Sequence, residues 1–196
     1  MTRTLSLWIA FFFLFPESAS AQLVASAGAG VFDPWKGSTG YEIDTALFAT
    51  LGEKQSWRLG GEFSFRAAEF EILNVENVDF ESYRLSFVTH YRFLVGHVVE
   101  PYLGIRITFS VTQVDANEVE RQRPSRPIEN DGVGLGGAGI VGIDVPIGDR
   151  FALYGEVSAG ADVVWIDEND DDHQGIFPIS GRIGGISGVA GVRLRF

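Results

Sequence analysis

Residues Trp57-Arg58-Leu59-Gly60-Gly61-Glu62-Phe63-Ser64-Phe65-Arg66 place Trp57, Leu59, Phe63 and Phe65 on one parity and Arg58, Glu62, Ser64 and Arg66 on the other. Period two is the period of a β-strand, whose successive side chains point to opposite faces. One face of this segment is therefore apolar and the other charged. The next segments repeat the split: Tyr83, Leu85, Phe87, Tyr91 and Phe93 stand against Ser82, Arg84, Ser86, His90 and Arg92, then Leu103, Ile105, Ile107, Phe109 and Val111 against Gly104, Arg106, Thr108, Ser110 and Thr112.

Working outward, eight such stretches are found, approximately Gln22 to Phe32, Tyr41 to Leu51, Trp57 to Ala67, Phe80 to Leu94, Pro101 to Val114, Gly132 to Pro146, Phe151 to Trp165 and Ile183 to Phe196. Each has the length of a tilted strand crossing a bilayer. Gly52 to Ser56, Val95 to Glu100 and Ile147 to Arg150 are short connections. Asp33 to Gly40, Ala68 to Asp79, Asp115 to Asp131 and Ile166 to Arg182 are longer and polar. Short turns at one end and long loops at the other predict a transmembrane antiparallel up-and-down β-barrel, an all-β fold of about eight strands. Tyr41, Tyr83 and Trp165 at the loop ends, and Trp57, Tyr91, Phe93, Phe151 and Phe196 at the turn ends, form the two aromatic girdles that such a barrel sets at the membrane interfaces.

Ahead of the strands, Met1-Thr2-Arg3 carries one positive charge, Leu5 to Phe15 is almost wholly apolar, and Ala19-Ser20-Ala21 is a small-x-small site. This three-part pattern predicts a secretory signal peptide over residues 1–21, with cleavage before Gln22, and a barrel domain over residues 22–196. The apolar run is too short to span a bilayer as a helix. The 196 residues contain no cysteine, which excludes a disulfide framework, thiol catalysis, a thiolate metal site and a lipid-attached cysteine. A formal charge of −11 argues against nucleic acid as a partner. Twenty-four glycines and sixteen phenylalanines suit close-packed strands better than long helices.

Periodicity alone does not say which face points inward. A soluble lipocalin- or avidin-like barrel hides its apolar face, whereas a membrane barrel is inverted. The polar parity holds Glu42, Asp44, Glu62, Asp144, Glu156 and Asp162 together with Arg58, Arg66, Arg84, Arg92, Arg106, Arg193 and Arg195, nearly balanced in a strongly acidic chain. Balance is expected where charges share a narrow lumen and must be paired. These residues are read as structural ion pairs in a barrel too narrow for a continuous pore.

The last residues, Gly188-Val189-Ala190-Gly191-Val192-Arg193-Leu194-Arg195-Phe196, resemble the assembly signal of outer-membrane barrels: a terminal aromatic with apolar residues at every second position before it. Ala190, Val192, Leu194 and Phe196 match that pattern, and Gly188 departs from it. With the signal pattern and eight strands, the chain looks like the small outer-membrane barrels of the OmpA, OmpX and opacity-protein type. The resemblance implies location in the outer membrane of a Gram-negative bacterium, and contact with the barrel-assembly machinery during biogenesis.

Chemical candidates are sparse. A lipid A-modifying enzyme needs a His-Ser-acid arrangement near the outer leaflet. His90 is predicted inward near the turn end, His97 sits in a turn, and only His173 falls on the loop side, with Ser180 as a distant serine. The acidic run with Asp167, Glu168, Asp170, Asp171 and Asp172 fits a divalent-cation site or, as the composition favours, a solvated loop. Arg121, Arg123 and Arg126, stiffened by Pro124 and Pro127, fit lipopolysaccharide phosphates or the acidic loop. The reading is a non-enzymatic, monomeric outer-membrane barrel without a cofactor, anchoring surface loops for envelope integrity or surface interaction. Its partners are outer-membrane lipids and lipopolysaccharide. A lipid A-modifying enzyme and a narrow small-solute channel are the alternatives.

Overall fold

The computed structural model describes residues 22–52, 54–72, 75–115, 128–168 and 179–196. Eight strands follow one another: β1 (Gln22–Pro34), β2 (Gly37–Leu51), β3 (Trp57–Ile72), β4 (Val75–Arg92), β5 (Glu100–Val114), β6 (Ile128–Ile147), β7 (Phe151–Glu168) and β8 (Ile179–Arg195). Each pairs antiparallel with its sequence neighbour, and β8 returns to β1, so the sheet is a closed barrel without edges. Closure satisfies the backbone donors and acceptors of each strand from its two neighbours, a requirement for any sheet standing in hydrocarbon.

One row of paired residues runs Val24, Phe48, Gly60, Val88, Arg106, Ala138, Gly160, Gly185 and back to β1 at Pro34, ten positions beyond its start at residue 24. That stagger tilts the strands, as closure of eight strands demands. At the turn end the ladders stop at tight connections. Ile147 still pairs with Phe151, and the intervening turn uses Gly148 at φ 67°, a conformation costly for residues with a Cβ.

The apolar parity faces outward. Ile107 is 57% exposed, Phe63 49% and Leu135 53%, while Arg58, Arg193, Glu42 and Asp144 on the other parity are buried. An apolar face turned out round a buried charged core excludes the soluble lipocalin-like arrangement, and it is the arrangement that suits lipid. Tyr41 and Tyr83 ring the wall at the loop end, and Trp57, Tyr91 and Phe93 ring it at the turn end, with Tyr91 packed edge-on against both Trp57 and Phe93.

Two of the connections read as long loops are mostly strand. β1 continues to Pro34 and β2 begins at Gly37, and β3 and β4 pair as far as Ile72 and Val75. The reason is an inversion of polarity. Past the aromatic girdle the inward positions turn apolar, with Phe32, Val78, Phe80, Val114, Val164 and Ile183 buried, while outward positions become Asp33, Asp79 and Glu81. There the barrel wall carries water-facing acids, and such a stretch looks like a polar loop by composition alone. β6, β7 and β8 also extend beyond the expected limits, to Ile128, Glu168 and Ile179.

Candidate functional site

Strand parity puts the charged residues into the lumen, and the stagger arranges them in layers. At the turn end, Arg92 and Arg195 both bind Glu100, the latter at 3.1 Å, and the other Glu100 oxygen accepts the Gly96 N–H at 2.7 Å. In the same region Asp144 is ion-paired with both Arg58 and Arg193. Next come rings. His90 lies between Phe48 and Tyr102, with centroids 5.2 Å and 4.7 Å away, and the Arg193 guanidinium stands 4.2 Å from the Tyr154 ring centre. Val24, Val88 and Ile140 complete this plug with Phe48 and Tyr102.

The middle of the lumen is a charge network. Arg106 donates to Glu62 at 3.1 Å and to Glu156 at 2.9 Å, and lies 3.8 Å from Glu42. Glu156 also accepts the Tyr102 hydroxyl at 3.0 Å, and Glu42 pairs with Arg66 at 3.1 Å and accepts the Ser187 hydroxyl. Arg84 reaches Asp162 at 3.0 Å. Asp44 accepts the Tyr154 hydroxyl at 2.8 Å. At the loop end the Arg66 guanidinium covers Phe32 at 4.4 Å, below the apolar layer of Phe80 and its neighbours.

Inward glycines make room for these groups. A Cβ at Gly142 would stand 2.2 Å from the Tyr102 ring, and one at Gly136 would stand 1.9 Å from the Asp162 carboxylate. The glycine-rich sequence of β6 is thus the floor on which side chains from β5 and β7 rest. A charge taken from water costs several kcal/mol unless it is paired and hydrogen-bonded. Here each buried carboxylate has an arginine or a tyrosine hydroxyl, and the network joins strands on opposite walls. Such a lumen holds the barrel together.

Of the residues singled out in the sequence, all thirteen on the polar parity line the lumen. Glu100 belongs with them: by sequence it closes the Val95 to Glu100 connection, whereas β5 begins at Glu100, which shares parity with Arg106. Tyr102, Tyr154 and His90 were also on that parity, where a ring signals a filled lumen. His97 lies in the turn before β5. Ala190 and Val192 face outward, and the Phe196 N–H bonds to the Leu23 carbonyl at 2.9 Å, stitching the last residue to β1. The backbone of Asp167 and Glu168 ends β7. Asp170, Asp171, Asp172, Arg121, Arg123, Arg126, His173 and residues 1–21 lie outside the described residues.

No family model matches the sequence, and neither does any curated protein. Solved structures do match in shape. The Neisserial surface protein A, NspA, aligns with a TM-score of 0.54 over 92% of this chain and 100% of its own, at 18% identity. The outer membrane protein OprG of Pseudomonas aeruginosa gives 0.60 over 91% and 97%, at 12% identity. The chain has the fold of the small eight-stranded outer-membrane β-barrels. Outer Membrane Protein W of E. coli aligns with it too, with a TM-score of 0.52 over 91% of this chain and all of its own, at 13% identity. At these identities the shared property of the outer-membrane barrels is the fold, a closed wall with an apolar exterior.

Proposed function

We propose that this chain is a non-enzymatic protein of the Gram-negative outer membrane, whose barrel anchors the connections at its loop end for envelope integrity or surface interaction. The observation that carries the reading is the filled lumen: an ion-paired layer, a ring layer, a second charge network and an apolar cap succeed one another along the axis. Conduction through such a lumen would require breaking buried ion pairs, which weighs against a channel. An enzyme acting on lipid A needs a base near the outer leaflet, and among the described residues His90 is enclosed at the other end. In this reading the export signal is removed at residue 21 and Ala190, Val192, Leu194 and Phe196 are presented to the assembly machinery. The barrel works as a monomer among outer-membrane lipids and lipopolysaccharide, with Arg121, Arg123 and Arg126 available to phosphates and the acidic run from Asp167 to Asp172 solvated.

Two measurements test it together. Cell-envelope fractionation with gel mobility before and after boiling should recover a heat-modifiable band in the outer membrane. In planar bilayers the purified protein should give no stepwise conductance. A soluble, unshifted protein would sink the membrane reading, whereas reproducible unitary currents would favour the small-solute channel.

A further inference from the structure

We propose that Trp35 and Arg182 form a surface site for a phosphate of the phosphorylated glycolipid, lipid A, of the outer leaflet. This rests on the membrane reading above. Trp35 stands in the tight turn between β1 and β2, yet 59% of its surface is open, and it is not drawn into the apolar cap formed by Phe32 and its neighbours. Instead it folds over the outside of the wall. Its backbone N–H donates to the Gly184 carbonyl at 2.8 Å, and its ring covers Gly184 so closely that a Cβ there would meet ring carbons at 2.3 and 2.4 Å.

Arg182, two residues along β8 on the same outward parity, holds its guanidinium 6.0 Å from the centre of that ring. Below the pair the apolar wall begins with Val31 on β1 and Ile186 on β8, both exposed, with Asp33 paired opposite Ile186. An indole with an adjacent guanidinium at the upper limit of an apolar wall matches the boundary between acyl chains and phosphorylated sugars. The planar guanidinium fork suits a phosphate in particular.

Charge among the described residues favours an anion at this corner of the loop end. Among the described residues, Lys36 and Arg182 are the exposed cations at the loop end, since Lys54 and Arg150 lie in turns at the other end. The outward positions of β3 and β4 beyond the girdle carry Glu69, Asp79 and Glu81, which repel phosphate. Asp33, the acid nearest on β1, accepts the Thr39 hydroxyl at 3.2 Å. Among the described residues, the β8–β1–β2 corner is therefore where an anionic lipid meets positive charge.

The test uses the membrane-extracted protein in phosphatidylcholine nanodiscs, with retained lipid counted by native mass spectrometry during titration with bisphosphorylated lipid A. Dephosphorylated lipid A and phosphatidylglycerol serve as the comparison lipids. Arg182→Gln should weaken retention of bisphosphorylated lipid A about tenfold, as loss of one charge-assisted contact does. Arg182→Lys should keep part of the affinity, and Trp35→Leu should lower it. Equal retention by wild type and Arg182→Gln would overturn the site. So would equal retention of dephosphorylated lipid A, which would mean an acyl-chain contact alone, or of phosphatidylglycerol, which would mean a general anion surface. Each variant is first checked for a heat-modifiable band. A wild-type protein without that band would instead remove the membrane reading on which the site depends.

Discussion

Arg58 on β3 and Asp144 on β6 form an ion pair straight across the lumen, although 86 residues separate them and their strands share no backbone hydrogen bond. Arg193 on β8 completes the group from a third direction. Neighbouring strands are tied by ladders, but opposite walls are tied only by side chains that meet on the axis, and this triad is one such tie.

Removing Asp144 strands the buried Arg58 guanidinium and leaves Arg193 with Glu156, at 3.7 Å, as its remaining carboxylate. Asp144→Ala should therefore destabilise the barrel by about 3–5 kcal/mol, the range for breaking a buried pair. The combined replacement of Arg58 by Met, Arg193 by Met and Asp144 by Leu should cost far less, because no charge is stranded. Urea unfolding of the protein in lipid vesicles reads both. Equal midpoints for Asp144→Ala and the wild type would mean that the triad is not structural.

Glycines inside and outside the wall make a second contrast. At Gly142 a methyl group would strike the Tyr102 ring, whereas at lipid-facing Gly139 nothing lies within 4 Å. Gly142→Ala should cost about 1–3 kcal/mol by overpacking. Gly139→Ala should stay within about 0.5 kcal/mol of the wild type. Thermal unfolding in detergent distinguishes the two.

The inversion of polarity along β3 and β4 predicts a depth dependence. Phe63 faces outward inside the apolar belt, and Glu81 faces outward beyond Tyr83. Phe63→Arg should destabilise the inserted protein by about 2–4 kcal/mol, and Glu81→Arg by no more than about 1 kcal/mol. Equal costs measured by unfolding from vesicles would place the membrane boundary elsewhere.

Phe196 is 69% exposed and binds β1 through its backbone, so its ring contributes little to the finished wall. If the ring serves assembly, Phe196→Ser should reduce the heat-modifiable fraction in cells several-fold. Protein refolded from urea should keep its stability within about 1 kcal/mol, as for other surface changes. A parallel loss in refolded protein would make the residue structural instead.

The sequence by itself determined the class, the number of strands and the face assignment of nearly every residue, because alternation is a local property that each strand carries independently. Arg58, Glu62 and Arg66 announce a shared face whatever their partners are. It also marked the turn ends closely, where Gly148 and the neighbouring short polar segments interrupt the pattern. At the loop end composition misleads, since Asp79 reads as loop when it belongs, with Glu81, to the wet face of a strand whose inward residues are Val78 and Phe80. Only the tertiary structure decided which charge meets which. The ten-residue stagger of the closed sheet brings Asp144 level with Arg58 and Arg193, sets Asp44 against Tyr154, and recruits Glu100 for Arg92 and Arg195. It also brings Trp35 over Gly184, 149 positions away. Stagger is a property of closure by all eight strands together, and no single strand encodes it.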